Sequence, residues 1–111
     1  MRPKLASGIW VAAYLRRLTL ASIPAYVTWR GDAQAGAVMV KLARLDGTAT
    51  VYQRQFDFDH DTYRWQVLRD GPEREVDTML ARQRAIDRDL WVIEIEDARG
   101  RHLLDEEGLA E

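Results

Sequence analysis

The stretch Ala37-Val-Met-Val-Lys-Leu-Ala-Arg-Leu-Asp-Gly-Thr-Ala-Thr-Val-Tyr52 is two apolar runs joined at Asp46-Gly47. An Asp-Gly pair between alternating runs favours a hairpin with a two-residue type I′ loop, in which both central residues have positive φ. Such a loop sets Leu45 opposite Thr48, Leu42 opposite Val51, Lys41 opposite Tyr52 and Met39 opposite Arg54. The register then places Val38, Val40, Leu42, Ala49 and Val51 on a core face. Met39, Lys41, Ala43, Thr50, Tyr52 and Arg54 take the other, wetter face.

Upstream of this hairpin, Ala25, Val27 and Trp29 alternate with polar residues as a half-buried strand, and Gly31–Gly36 is a loop of small residues. Before Pro24, the residues Trp10, Val11, Tyr14, Leu15 and Leu18 recur at helical spacing, which predicts a helix capped by Ser7 and ending near Ala21. Downstream, Gln55–Thr62 reads as an acidic loop, and Tyr63, Trp65 and Val67 alternate along a fourth strand ending at Asp70-Gly71. Pro72 suits the first turn of a second helix, with Glu73 and Glu75 at its positive dipole end and Arg82 and Arg84 at its negative end. Its buried stripe is Val76, Met79, Leu80 and Ile86. Leu90–Asp97 is the last strand, with Trp91, Ile93 and Ile95 on one face and Leu90, Val92, Glu94 and Glu96 on the other. Arg99-Gly100 turns the chain, and the acidic tail after Leu104 is expected to fray.

The order α-β-β-β-β-α-β describes one α+β domain over residues 1–111, with an ordered core at about 5–104. Three short connections imply antiparallel pairing among the first four strands. The helix before the fifth allows one parallel crossover, so a mostly antiparallel mixed sheet packed with two helices is expected.

Composition narrows the function classes. The 111 residues are 47% hydrophobic and 31% charged, the balance of a soluble globular domain rather than a rod or a disordered chain. Zero cysteines exclude disulfides, thiolate zinc sites and cysteine nucleophiles. The net charge of -2 is too balanced for a general nucleic-acid binder. Charge is nonetheless polarised: Met1–Gly31 holds Arg2, Lys4, Arg16, Arg17 and Arg30 and no acid, whereas Asp87–Glu111 is strongly acidic. Neutralisation of one end by the other is the plain expectation, and a basic N-terminal face for an anionic partner the sharper one. The apolar run Leu5–Leu15 is closed by Arg16 and Arg17, too short to span a bilayer, and no small-residue cleavage pattern follows it. A cytoplasmic protein without membrane association is expected.

Candidate chemistry is sparse. Asp57, Asp59 and Asp61 have the first spacings of a calcium loop, but Thr62 stands where glycine is needed and Leu68 where a carboxylate is needed. His60 and His102 are not at ligand spacing, so no metal and no cofactor is expected. Gly31–Gly36 lacks the lysine and helix of a phosphate-binding loop, and Arg30-Gly31-Asp32 reads as a strand-ending turn. One constellation resembles metal-dependent nucleases, with Asp32 as a first carboxylate and Lys41 as the lysine of a Glu-x-Lys pair. The sequence there is Met39-Val40-Lys41, so the second carboxylate is missing unless Glu94 or Glu96 substitutes. The competing reading pairs Glu94 and Glu96 with Lys41, Arg54 or Arg64 across the sheet.

Six segments carry a family resemblance: Trp10-Val-Ala-Ala-Tyr-Leu-Arg-Arg17, Arg30-Gly-Asp32, Gly36-Ala-Val-Met-Val-Lys41, Leu45-Asp-Gly47, Ala81-Arg-Gln83 and Asp89-Leu-Trp-Val-Ile-Glu-Ile-Glu-Asp97. From about Leu5 to Asp105 the chain resembles domain-of-unknown-function family 1491, small single-domain proteins of alphaproteobacteria. The resemblance implies a family and brings no activity and no catalytic residue with it.

The reading is therefore a non-enzymatic interaction or accessory module, with a degenerate magnesium-dependent phosphodiesterase as the alternative. The expected partner is a second copy or an unidentified protein. Met39, Ala43, Leu45 and Tyr52, joined by Leu90 and Val92, would make an apolar patch that a twofold homodimer covers. Coverage of that face by a helix of the same chain is the competing outcome.

Overall fold

The computed structural model describes residues 5–110. The elements follow the expected order: α1 (Ser7–Leu20), β1 (Ala25–Trp29), β2 (Val38–Ala43), β3 (Thr48–Asp57), β4 (Thr62–Pro72), α2 (Glu73–Ile86) and β5 (Trp91–Glu96). The strands form one mixed sheet in the order β1-β5-β2-β3-β4. β2 and β5 run parallel, and the other three pairings are antiparallel. The fold is α+β.

Alternation along β2 sorts the core into two halves. Val40 and Leu42 pack with Trp91, Ile93 and Ile95 under Trp10, Val11, Tyr14 and Leu18 of α1. Met39 packs with Ala49, Val51, Leu90 and Val92 under Val76 and Leu80 of α2. Successive strand residues point to opposite faces, so the helices lie on opposite sides of the sheet. Trp91–Ile93 and Ile95 are buried, as expected of a strand covered on both faces. Trp10 and Trp91 are buried and Trp29 and Trp65 half-buried, so no tryptophan marks an exposed patch.

Several expectations are corrected. β1 pairs with β5 and not with β2, because the loop after β1 crosses the start of β5. Asp32 N donates to Asp89 O at 3.0 Å and Trp91 N to Ala37 O at 2.8 Å across that crossing. Ser7 is the first residue of α1 rather than its cap. Its hydroxyl donates to Gly36 O at 2.5 Å, while Ser7 N and Gly8 N donate to Gln34 O and Ala33 O, so the β1–β2 loop closes the helix end. Ile86, expected in the buried stripe of α2, ends that helix 82% exposed, and Leu90 fills the core instead.

The central hairpin has a three-residue loop, not a two-residue one. Arg44 N donates to Thr48 O, and Leu45 and Gly47 both have positive φ. Asp46 Oδ1 accepts from Thr48 N and Thr48 Oγ1, a side-chain turn that takes up the extra residue. Lys41 therefore faces Val51, and Val40 faces Tyr52. The one-residue shift reverses the faces of β3: Ala49 and Val51 lie on the α2 side with Met39, and Tyr52 lies on the α1 side with Val40 and Leu42. The apolar patch proposed for a homodimer dissolves, because α2 covers Met39, Leu90 and Val92.

Gly47 keeps its importance in the new loop. At φ 89° nothing lies within 4 Å of an added Cβ, so the cost of Gly47→Val is purely one of backbone conformation. A loss of about 1–2 kcal/mol is expected, read as a fall in Tm. An unchanged Tm would show that the loop relaxes freely.

The acidic tail, expected to fray, is packed against the domain. Leu104 and Leu109 are each 1% exposed and complete the α1-side core. Tyr14 Oη donates to His102 O, Trp65 Nε1 to Leu109 O, and Arg17 to Glu107 O, each at 2.9 Å. Arg17 also meets Glu106 at 3.5 Å, so part of the basic N-terminal charge is met by the acidic C-terminus. Arg2, Lys4 and Glu111 lie outside the described residues.

Candidate functional site

Strand register alone brings Lys41 beside Glu94, its partner across the parallel β2–β5 pair. The wall of α2 adds two more carboxylates. Lys41 Nζ lies 2.7 Å from Glu73 Oε2, 2.7 Å from Asp77 Oδ1 and 3.2 Å from Glu94 Oε1. The lysine side chain is 4% exposed, whereas the three carboxylates are partly open to solvent. The cluster borders a cleft of about 390 Å³ between α2 and β1, lined also by Thr28, Trp29, Leu80 and Val92.

Burial works against the charge on Lys41. Hydrogen bonds from its ammonium to Asp77, Glu73 and Glu94 outweigh that cost and raise its pKa well above the ordinary lysine value. A lysine acting as a base or nucleophile needs the opposite shift. The three carboxylates secure the proton, so this group is built as a structural cation.

Of the four residues proposed from sequence, Lys41 and Glu94 come together and the other two are engaged elsewhere. Asp32 lies in the loop beside the start of β5, where its Oδ2 accepts from Gln34 N and Ala35 N. Its carbonyl accepts from Trp91 Nε1 at 2.7 Å. Glu96 accepts from Tyr26 Oη at 3.0 Å, and that bond is the leading cause of a raised Tyr26 pKa. Glu94 thus follows the cross-strand pairing with Lys41, and Glu96 bonds a tyrosine rather than a basic residue. Among the described residues no group of three or more His, Cys, Asp or Glu is arranged to hold a metal ion.

Glu73 and Asp77 were missed from sequence, although a signal exists. They stand four residues apart on the same side of α2 as Val76 and Leu80, and like charges at that spacing repel unless a cation lies between them. Asp57, first of the aspartate series, caps its own turn: Oδ1 accepts from Asp59 N and His60 N, and Oδ2 meets His60 Nδ1 and Arg64 Nε. The His60 hydrogen bond leads in holding its carboxyl below the usual range.

A second cleft, about 350 Å³, lies where Tyr52, Trp65 and His102 meet the C-terminal segment. The His102 ring packs against Tyr52 with centroids 4.7 Å apart, and its Nδ1 accepts from Leu104 N at 2.9 Å. Burial pushes the His102 pKa below its ordinary 6.5, and Asp105 opposes that shift. A depressed folded pKa means the unfolded chain binds the proton more readily. The contribution is complete above about pH 6.5 and is lost as the pH falls through the lower folded value. His102→Asn keeps an acceptor for Leu104 N and removes the titration. Between pH 7.5 and 5.5, Tm is therefore expected to fall further in the parent than in this variant; equal slopes would refute the assignment.

A family model described as "Protein of unknown function (DUF1491)" matches residues 5–105. A crystal structure of a DUF1491 family protein from Caulobacter crescentus CB15 is similar at TM-score 0.78 and 42% identity, over 92% of this chain and 94% of that one. An NMR structure of a DUF1491 family protein from the same organism gives TM-score 0.79 and 40% identity, over 95% and 96% of the chains. The solution structure of protein Atu0922 from A. tumefaciens gives 0.70 and 31%, over 85% and 86%. No curated protein matches.

Proposed function

We propose, for a chain that belongs to the DUF1491 family, the role of a non-enzymatic protein-interaction module in the cytoplasm, with a second copy as its first partner. The observation that carries this reading is the outward side of α1. Ile9 and Leu20 are 60% and 73% exposed, Ala12 and Ala13 between them are exposed as well, and Leu5 just before the helix is 52% exposed. Arg16 stands among them, and apolar side chains around a single charge on the outer side of a helix suit a further neighbour. The small alanines allow close approach of another helix. The cytoplasmic reading is supported by the cysteine-free composition and by the use of Trp10, Val11 and Tyr14 in the core.

Light scattering from micromolar concentration upward tests self-association. The parent is expected to give twice the chain mass. Ile9→Glu combined with Leu20→Glu, both at exposed sites, is expected to give the single-chain mass with an unchanged circular dichroism spectrum. A single-chain mass for the parent throughout would remove the second copy and leave this stripe for a different protein.

A further inference from the structure

The outer edge of β4 and the outer side of α2 meet in a groove of about 340 Å³, bordered by Arg69, Arg74 and Arg82 with Met79 at its base. Arg74, Thr78 and Arg82 are spaced by four, so they form one ridge along the helix. Glu75 is the only carboxylate in the lining, and it lies 3.8 Å from Arg69, long for an ion pair. Beside the groove β4 ends the sheet; Leu68 on this edge is 37% exposed, whereas Val67, paired with Tyr52, faces the α1 side. A sheet edge and surplus positive charge thus coincide around Met79.

The geometry points to this groove as the docking site for an extended acidic segment of a partner protein, laid along β4 as a sixth strand. Guanidinium groups bind carboxylates through paired, charge-assisted hydrogen bonds. Arg74 and Arg82 are separated by two helical turns, about 12 Å along the axis. Residues four apart in an extended strand are about 13 Å apart and share a face, so alternate acidic residues match the ridge. Strand addition supplies main-chain hydrogen bonds, and the arginines supply selection. The register shift opposite Val51 and Tyr52 leaves Leu68 without a cross-strand partner, and such a bulge discourages indiscriminate pairing at an edge. A nucleic acid fits less well: the chain is net negative, and the groove lining contains no aromatic platform for bases.

This inference extends the interaction-module reading to the face of the sheet opposite α1 and rests on that reading. Its test is separate, because peptide binding and chain mass are read independently. A dye-labelled octapeptide alternating glutamate and threonine is titrated with the full chain and followed by fluorescence anisotropy. Saturable binding is expected, weakened at least about tenfold by Arg74→Glu with Arg82→Glu and weakened by added salt. Of the two peptides N-methylated at alternate residues, the one whose methyl groups face β4 is expected to bind more weakly than the other. Both substitutions are at exposed positions, and circular dichroism checks the fold. No saturation by about 1 mM, a doubly reversed variant within about twofold of the parent, undiminished binding of both methylated peptides, or tighter binding of a single-stranded octanucleotide would each overturn the proposal.

Discussion

Alanine at Gly31 or at Gly36 is expected to destabilise the protein by about 3 kcal/mol, the upper end of what overpacking costs. The two glycines close on the same carbonyl, that of Asp89, at the point where the β1–β2 loop crosses the start of β5. A Cβ on either would fall well inside van der Waals contact with that oxygen, and at Gly36 it would also lie 2.8 Å from Asp32 O. Backbone neighbours cannot rotate aside as a side chain can. To relieve the clash the loop must withdraw, which loosens Asp32 N–Asp89 O, Trp91 Nε1–Asp32 O and the bonds that close the N-terminus of α1. Neither glycine is needed for positive φ, so the requirement is one of close approach. A fall in Tm of more than about 10 °C is expected for each. Gly8 is the contrast: its added Cβ meets Ala33 at ordinary distances inside α1, so Gly8→Ala should be neutral or stabilising by up to about 1 kcal/mol. A Tm for Gly31→Ala equal to the parent's would mean that the loop is not clamped as described.

That loop also shows where local reading stops. The spacing in α1, the alternation in β5 and the breaks at Pro24 and Gly71-Pro72 specify element order, because each depends on neighbours in sequence. The neighbour of β1 does not: β5 arrives some sixty residues later to take the place beside it. The packing of the tail was hidden for a similar reason, since Leu104 and Leu109 acquire value only against Tyr14, Trp65 and Arg17 from elsewhere in the chain. The hairpin failed at finer scale. Asp46-Gly47 marks the turn correctly, but Leu45 adopts positive φ, an unusual state for a branched apolar side chain, and one added loop residue inverts a strand. The candidate site was half legible: Lys41 and Glu94 were named, whereas the other two carboxylates come from a helix whose docking side depends on that same inverted strand.

Lys41→Met is expected to cost about 2–4 kcal/mol, somewhat less than breaking a fully buried ion pair because the three carboxylates retain contact with water. Methionine fills nearly the same space, so the loss isolates the charge. Without the ammonium, Glu73 and Asp77, one helical turn apart, repel each other and Glu94 beneath them, and α2 is pushed from the sheet. Adding Glu94→Gln to Lys41→Met should recover part of the loss by removing one repelling charge, and a double-mutant cycle measures the coupling. The alkaline limb gives an independent check. Because the folded pKa of Lys41 is raised above its ordinary 10.5, its contribution is complete below that value and is lost as the pH climbs toward the folded one. Parent and Lys41→Met stabilities should therefore converge above about pH 10.5 and remain apart at neutral pH. If methionine left Tm at neutral pH unchanged, the cluster would contribute no net stability. The removal of a buried cation from among three carboxylates would then have been absorbed by solvent, leaving Lys41 without the structural role assigned to it.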